Sequence, residues 1–296
     1  MVTSTRSGFV ALAGRPNVGK STLVNAIVGK KVAIVSDKPQ TTRRAIRGVS
    51  TTADTQLVMV DLPGVQRPRD ELTRRMQHRV ELEVAGCDAA LMVLNAYEGI
   101  GPGDRYIAET LAATSLPVVV AVNKIDRLNR ATTMEMLVAT AELGVGDDIF
   151  PISAKSGTGM QALHEHLVSL IPEGPFFFPV EDHSDQSIEI LLAELVREQV
   201  LRRTFQEVPH SVEVHVDEFD RPKPDLTVLR ALVWVETDSQ KGILIGAGGA
   251  MIKQVGTAAR RELERELGTR VHLDLAVRVK RGWRGDERLL DRLGIE

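Results

Sequence analysis

Residues 14–22 read GRPNVGKST, which fits the spacing G-x-x-x-x-G-K-[ST]. Glycines at the first and sixth positions let a backbone wrap tightly, so that successive N–H groups converge on an anion. A helix starting just after adds the positive end of its dipole. In that arrangement Gly14, Arg15, Pro16, Asn17, Val18 and Gly19 would cradle a β-phosphate. Lys20 would reach the β- and γ-phosphates, and Ser21, followed by Thr22, would ligate magnesium. The loop alone does not say which base the nucleotide carries, nor whether the nucleotide is substrate or structural ligand.

Three shorter clusters bear on the base and the metal. In DLPG, Asp61 would hold magnesium through a water and the Gly64 N–H would sense the γ-phosphate, with Leu62 and Pro63 between them. In NKID, the carboxylate of Asp126 can accept from both N1–H and the exocyclic amine of guanine. Lys124 would pack along the base, Asn123 would brace the loops, and Ile125 completes the turn. Adenine offers an acceptor at N1 and no amine at C2, leaving that carboxylate unpaired, a mismatch that costs roughly 10⁴–10⁵ in selectivity. In Ser153-Ala154-Lys155, the Ala154 N–H is the expected donor to guanine O6. The order and spacing point to a GTP site.

Such a site needs strand ends to hold it. Short apolar runs at 9–13, 45–49, 57–61, 89–95, 118–123 and 149–152 alternate with helical patterns at 22–28, 104–113, 132–143 and 160–170. This alternation predicts an α/β domain, a mostly parallel sheet with helices on both faces, whose ligands bind at the carboxyl ends of the strands. All four motifs fall there. IPEGPFFFP at 171–179 breaks the last helix with three prolines and a glycine, and 173–181 is read as a linker, its Phe176–Phe178 triplet packing on a domain surface. The expected division is therefore 1–172, then the linker, then 182–296.

The chain has 296 residues, 43% hydrophobic and 26% charged, a globular composition with room for two cores. Its longest strongly apolar run, 116–122, is too short to cross a bilayer, and MVTSTRSG lacks the apolar core of a signal peptide. Cys87 is the single cysteine, so no intrachain disulfide can form and a reducing cytoplasm is expected. The net charge is −3, but it is unevenly spread: residues 182–240 carry −7 while 241–285 carry +6. That basic segment is where a polyanion would bind.

The second half reads helix at 187–203, strands at 212–219 and 227–236, a helical turn, GAGG, a helix at 250–267, a strand at 271–279 and a short helix at 287–293. Gly246, Ala247, Gly248 and Gly249 form a G-x-x-G loop, of the kind that lets an RNA backbone lie against protein backbone and clamps about four nucleotides. A glycine helix cap is the plainer explanation of such a loop. The basic flanks favour RNA: Lys241, Lys253, Arg260 and Arg261 suit phosphates, as do Arg278, Lys280 and Arg281, and Ile243 and Ile245 could pack under bases. The loop has no basic residue at its middle positions, so its flanks must supply more of the affinity.

GRPNVGKS, PQTTR, DLPG, NKID and SAK, followed by LIPEGPFFFP, REQVLRRTFQEVPHSVEV, KGILIGAGGAMIKQVGTAAR and VKRGWR, resemble the Era-like GTPases over essentially the whole chain. The resemblance implies a P-loop GTPase domain followed by an α+β type II KH domain, and GTP hydrolysis with Mg²⁺ as cofactor. It implies binding to the 3′ region of 16S rRNA and a role in assembly of the small (30S) ribosomal subunit. A cytoplasmic monomer is expected, and peripheral association with the inner face of the cell membrane is left open. On the same resemblance Thr42, rather than Thr41, would sense the γ-phosphate and magnesium; spacing does not decide between them. Lys20, Thr42, Gly64 and Asn17 then make up the catalytic set. Some relatives use the asparagine at the position of Asn17 to ligate potassium; the alternative is an asparagine that only stabilises the loop.

Many GTPases place a glutamine directly after D-x-x-G, where this chain has Val65 and then Gln66. A valine cannot orient water, so hydrolysis is slow or uses another device. Arg15 suits an outward side chain better than an arginine finger. Two other readings stay open: an RNA-binding scaffold with GTP as a structural ligand, and a membrane-linked regulator, for which no lipidation motif or basic amphipathic helix speaks.

Overall fold

The computed structural model describes residues 5–36, 38, 41–64, 70–205 and 208–295. By compactness they fall into two units. The first runs to Asp185, except that Ile34–Thr41 and Asp70–Leu72 group with the second, which otherwise starts at Gln186.

In the first unit the elements are β1 (Arg6–Ala13), α1 (Lys20–Val28), β2 (Ile46–Thr51), β3 (Thr55–Asp61), α2 (Glu71–Ala85), β4 (Ala89–Asn95), α3 (Pro102–Ala112), β5 (Val118–Asn123), α4 (Arg130–Ala141), β6 (Asp148–Pro151) and α5 (Met160–Leu170). The sheet order is β2-β3-β1-β4-β5-β6. Only β2 runs antiparallel, on β3; the other pairs are parallel. The central strands are continuous apolar runs because both faces are covered: every residue of β4 is buried. One face packs on α1 and α5 through Leu12, Leu23, Leu91 and Leu163, and the other on α3 and α4 through Met92, Ile107, Val120 and Met136. Of the linker triplet, Phe177 stacks on Phe9 at 4.8 Å, and Gln56 accepts the Phe177 and Phe178 N–H groups through Oε1 at 2.8 and 3.0 Å.

Sequence periodicity missed α2. Its apolar buried stripe is thin, Leu72, Met76 and Val80 four residues apart, and the positions between are all polar or charged.

The second unit contains α6 (Ile188–Arg203), α7 (Val208–Ser211), β7 (Glu213–Lys223), β8 (Leu226–Val235), α8 (Asp238–Ile245), α9 (Ala250–Leu267), β9 (Arg270–Val279) and α10 (Glu287–Arg292). Its sheet is β7-β8-β9, antiparallel on the first pair and parallel on the second. Helix α6 is the spine. Ten consecutive residues, Leu192 to Leu201, are buried, including Glu194, Arg197 and Glu198. Buried charges persist only when paired. Arg197 forms an ion pair with Glu194 at 2.9 Å and donates to the Thr41 carbonyl at 2.7 Å. Glu198 accepts the Val35 N–H at 3.0 Å and pairs with Arg202 at 3.0 Å. The strap that includes Val35 and Thr41 is thereby fastened to α6 at those two residues.

Candidate nucleotide site and nucleic-acid interface

The phosphate loop joins β1 to α1. Gly19, the residue before α1, has φ 105°, and a Cβ there would collide with Asn123 Nδ2. Only glycine satisfies both conditions. Asn17 (φ 64°) and Lys124 (φ 68°) are the non-glycine residues with left-handed backbone among those described. Strain of this kind is retained where surrounding contacts enforce it, and it clusters at functional sites.

Those contacts are visible. Asn123 Nδ2 donates to the Val18 carbonyl at 2.9 Å, and its Oδ1 accepts from the Lys124 and Ala154 N–H groups at 2.8 and 3.0 Å. Lys124 Nζ donates to the Asn17 carbonyl at 2.6 Å. Asn123 thus braces three loops at once. Ser153 Oγ donates to Asp126 Oδ1 at 2.6 Å, which fixes the carboxylate at the mouth of the site. The Ala154 N–H, the expected donor to guanine O6, lies against Asn123 Oδ1.

At the other end, Ser21 Oγ donates to Asp61 Oδ2 at 2.6 Å, Thr42 Oγ1 donates to the same oxygen at 3.3 Å, and the two hydroxyls lie 3.1 Å apart. It is Thr42 that joins this group. The Thr41 hydroxyl instead donates to the Lys38 carbonyl at 2.6 Å. Asp61 is wholly buried and its Oδ1 has no hydrogen-bond partner. Burial pushes its carboxyl above the usual range, against the pull of Lys20 and the hydroxyls. Burial likewise lowers the Lys20 pKa, with Asp61 opposing. Lys20 Nζ donates to the Gly14 and Arg15 carbonyls at 3.0 and 3.3 Å, so its position is tied to the loop. Gly64 lies close over Pro16: a Cβ at Gly64 would come within 3.0 Å of the proline ring. Val65 and Gln66, and Pro39 and Gln40 of PQTTR, lie outside the described residues.

The Arg15 side chain leaves the loop altogether. Its Nε lies 2.7 Å from Asp104 Oδ2 and its guanidinium donates to the Gly99 carbonyl at 3.2 Å. It faces the start of α3, as an outward side chain should.

In the second unit α8 ends at Gly246 (φ 72°, ψ 172°), a conformation reserved for glycine, where a Cβ would press on Met251 at 2.8 Å. Gly248 and Gly249 also have positive φ, but the space beside each is open. The loop therefore serves as a cap and still offers bare backbone. An open cleft of about 480 Å³ runs between α9 and β9, lined by Lys253, Thr257, Arg260, His272 and Asp274 among others. Thr257, His272 and Asp274 escaped sequence reading because a strand edge becomes a groove wall only once α9 is laid beside it.

The second basic group lies elsewhere. Arg278 pairs in register with Trp234, and both alternate away from the residues that β8 and β9 pack on the helices. Lys280 Nζ sits 6.0 Å from the Trp234 ring, and Arg281 pairs with Asp238 at 3.3 Å. Arg278, Lys280 and Arg281 thus do not line the cleft that holds Lys253 and Arg260. Lys241 lies on α8, which leads into the G-x-x-G loop. Ile243 is exposed, whereas Ile245 packs against the core.

Comparison with known proteins places these geometries in a family. Residues 9–124 match the model described as a 50S ribosome-binding GTPase, and residues 207–284 match the KH domain model. The GTPase Era of Mycolicibacterium paratuberculosis is 46% identical over 300 residues, spanning 99% of this chain and 100% of that one. The GTPase Era of Mycobacterium tuberculosis is 45% identical over the same length. This chain belongs to the Era family of GTPases. Among solved structures, Era in complex with MgGDPNP and nucleotides 1506–1542 of 16S ribosomal RNA superposes with a TM-score of 0.94 at 33% identity, covering 98% of this chain and 99% of that one. A variant of Aquifex aeolicus Era bound to GDP and AlF4⁻ gives 0.93 at 33% identity, over 98% and 99% of the two chains. Both units fall within these full-length matches. Among the described residues, no helix is long and apolar enough to cross a membrane.

Proposed function

We propose that this protein hydrolyses GTP and, through its second unit, binds the 3′ region of 16S rRNA during assembly of the small ribosomal subunit. The observation that carries the enzymatic reading is the convergence of Ser21, Thr42 and Asp61 oxygens within 3.3 Å of one another at the foot of the phosphate loop, beside a buried lysine. A buried carboxylate with one unpartnered oxygen, flanked by two hydroxyls, suits a hard divalent cation. Mg²⁺ would be held by Ser21 and Thr42 directly and by Asp61 through water; when bound, it neutralises charge on the phosphates.

The chain's own groups do the rest. Main-chain N–H groups of residues 14–19 and the ammonium of Lys20 face the developing negative charge, and being already oriented they need little reorganisation as it forms. The Gly64 N–H senses the γ-phosphate, Asp126 reads N1–H and the amine of guanine, and Lys124 covers the base. Asn17, held in the left-handed region by Lys124, is a candidate potassium ligand whose cation would take the place of an arginine finger, a role worth roughly 10³–10⁵ in rate. Gly246–Gly249, Lys241, Lys253 and Arg260 would bind the RNA backbone. Arg278, Lys280 and Arg281 would meet phosphates beyond the cleft. The relative solved with MgGDPNP and nucleotides of 16S rRNA supports, by likeness, a magnesium–nucleotide site and an RNA-binding site in this chain.

Single-turnover phosphate release tests the reading, with RNA present or absent and in potassium or sodium. Release that depends on intact Lys20 and Thr42 is expected. GTP bound but unhydrolysed in every condition would mean a scaffold with a structural nucleotide. Equal rates in the two salts would leave Asn17 with a purely structural role.

A further inference from the structure

The phosphate loop is clamped on two limbs, and only one clamp comes from the base-reading motifs. Residues 17–19 are held from the end of β5 by Asn123 and Lys124. The limb 14–16 is held from the start of α3. There Arg15 Nε meets Asp104 Oδ2 at 2.7 Å, and its guanidinium donates to the Gly99 carbonyl at 3.2 Å. Asp104 has no exposed surface, and the same Oδ2 accepts the Gly101 N–H at 2.8 Å, which begins the helix. Gly103 completes the fit: a Cβ there would fall 2.8 Å from Arg15 Cδ, so the arginine stem lies directly on its backbone.

We propose that Asp104, through Arg15 and over Gly103, is a positioning residue for GTP hydrolysis that sets the geometry of the 14–16 limb and hence of Lys20. The link to the lysine is direct. Its ammonium donates to the Gly14 and Arg15 carbonyls, so a shift of the Arg15 peptide shifts the charge aimed at the phosphates. Neither Asp104 nor Gly103 belongs to a nucleotide motif. The proposal rests on the loop holding the phosphates of GTP.

The test uses the full-length protein and a double-mutant cycle. A misplacement of about 1 Å near reacting groups can cost roughly 10²-fold in rate. Arg15→Ala and Asp104→Ala should therefore each lower kcat by about ten- to a hundredfold, with a smaller change in KM. The double variant should lose no more than the worse single one, because both break the same tether. Gly103→Ala should reproduce the loss with both charges intact, and Arg15→Lys should recover part of it. The signature of positioning is the ³¹P resonance of the β-phosphate of bound Mg·GDP, which should move in each impaired variant. If Asp104→Ala does not fold, Asp104→Asn keeps an acceptor for the Gly101 N–H and tests the charge alone. Additive losses, or an unmoved ³¹P resonance with only a lowered Tm, would overturn the proposal and leave a surface staple. Wild-type protein that binds no GTP would sink the functional reading instead, and that result is visible before any variant is made.

Discussion

At the scale of single residues, candidate nucleotide motifs are legible wherever chemistry demands a particular side chain at a fixed spacing. Asp126, Lys20 and Ser21 stand in that class. Asp126→Asn should move preference from GTP toward xanthosine triphosphate, since an amide can donate to the oxygen at C2 of xanthine. Competition binding should show the wild-type discrimination, of order 10⁴ for such hydrogen-bonded sites, largely reversed. An unchanged preference would remove Asp126 as the base reader. What spacing could not give was the choice between Thr41 and Thr42, because adjacent threonines differ only in where the folded backbone aims them. Cys87 offers a check of a different kind. Burial pushes its thiol up to about 12, with Glu83 and Asp88 adding to the effect. Folded protein at pH 8 should resist thiol reagents and react on unfolding. The sign for stability follows. Below the ordinary value both states keep the proton, and between there and about 12 only the unfolded state releases it. The contribution of Cys87 to stability is therefore lost as pH rises through that window. Rapid labelling of the folded protein at pH 8 would contradict the burial.

Elements were readable where burial is complete on both faces or where caps mark the ends. The all-buried β4 and the helix α4, whose N-cap Asn129 accepts the Thr132 N–H at 2.9 Å, are examples. Helix α2 was not, since its buried apolar positions, Leu72, Met76 and Val80, are too few to stand out among the polar residues between them. The G-x-x-G loop shows how one element can satisfy two readings. Gly246 and Gly249 cap helices, yet Gly248 borders open space at φ 57°. Aspartate tolerates that backbone, so Gly248→Asp should fold while placing a negative charge against an incoming phosphate. It should lose most single-stranded RNA binding, by roughly tenfold or more, with GTP affinity unchanged in the same preparation. Wild-type RNA affinity in this variant would mean the loop is only a cap.

For the molecule as a whole, a net charge of −3 hides a segment at +6, and mean composition would have argued against a nucleic-acid partner. RNA affinity should fall with salt at about −0.7 per phosphate contact in log–log form. Lys253→Ala should flatten that slope by less than one unit, and a slope near zero would exclude phosphate neutralisation. The sequence placed the division of the chain near its prolines. It could not show that Val35 and Thr41, roughly 150 positions earlier, are bonded to α6, because a side-chain-to-backbone bond leaves no periodic trace.

That strap bears on how the protein can be cut. A fragment beginning at 182 would leave Arg197 without the Thr41 carbonyl and Glu198 without the Val35 N–H. Excision at the proline-rich stretch should therefore yield a weakened product whose Tm lies below that of the same unit in the intact chain. Grafting residues 33–42 back through a flexible tether should recover the difference. If the bare fragment melts as the intact unit does, the strap is dispensable. If it does not, RNA affinities measured on excised fragments understate those of the native protein, and the shortest faithful version of this half of the molecule is a discontinuous one.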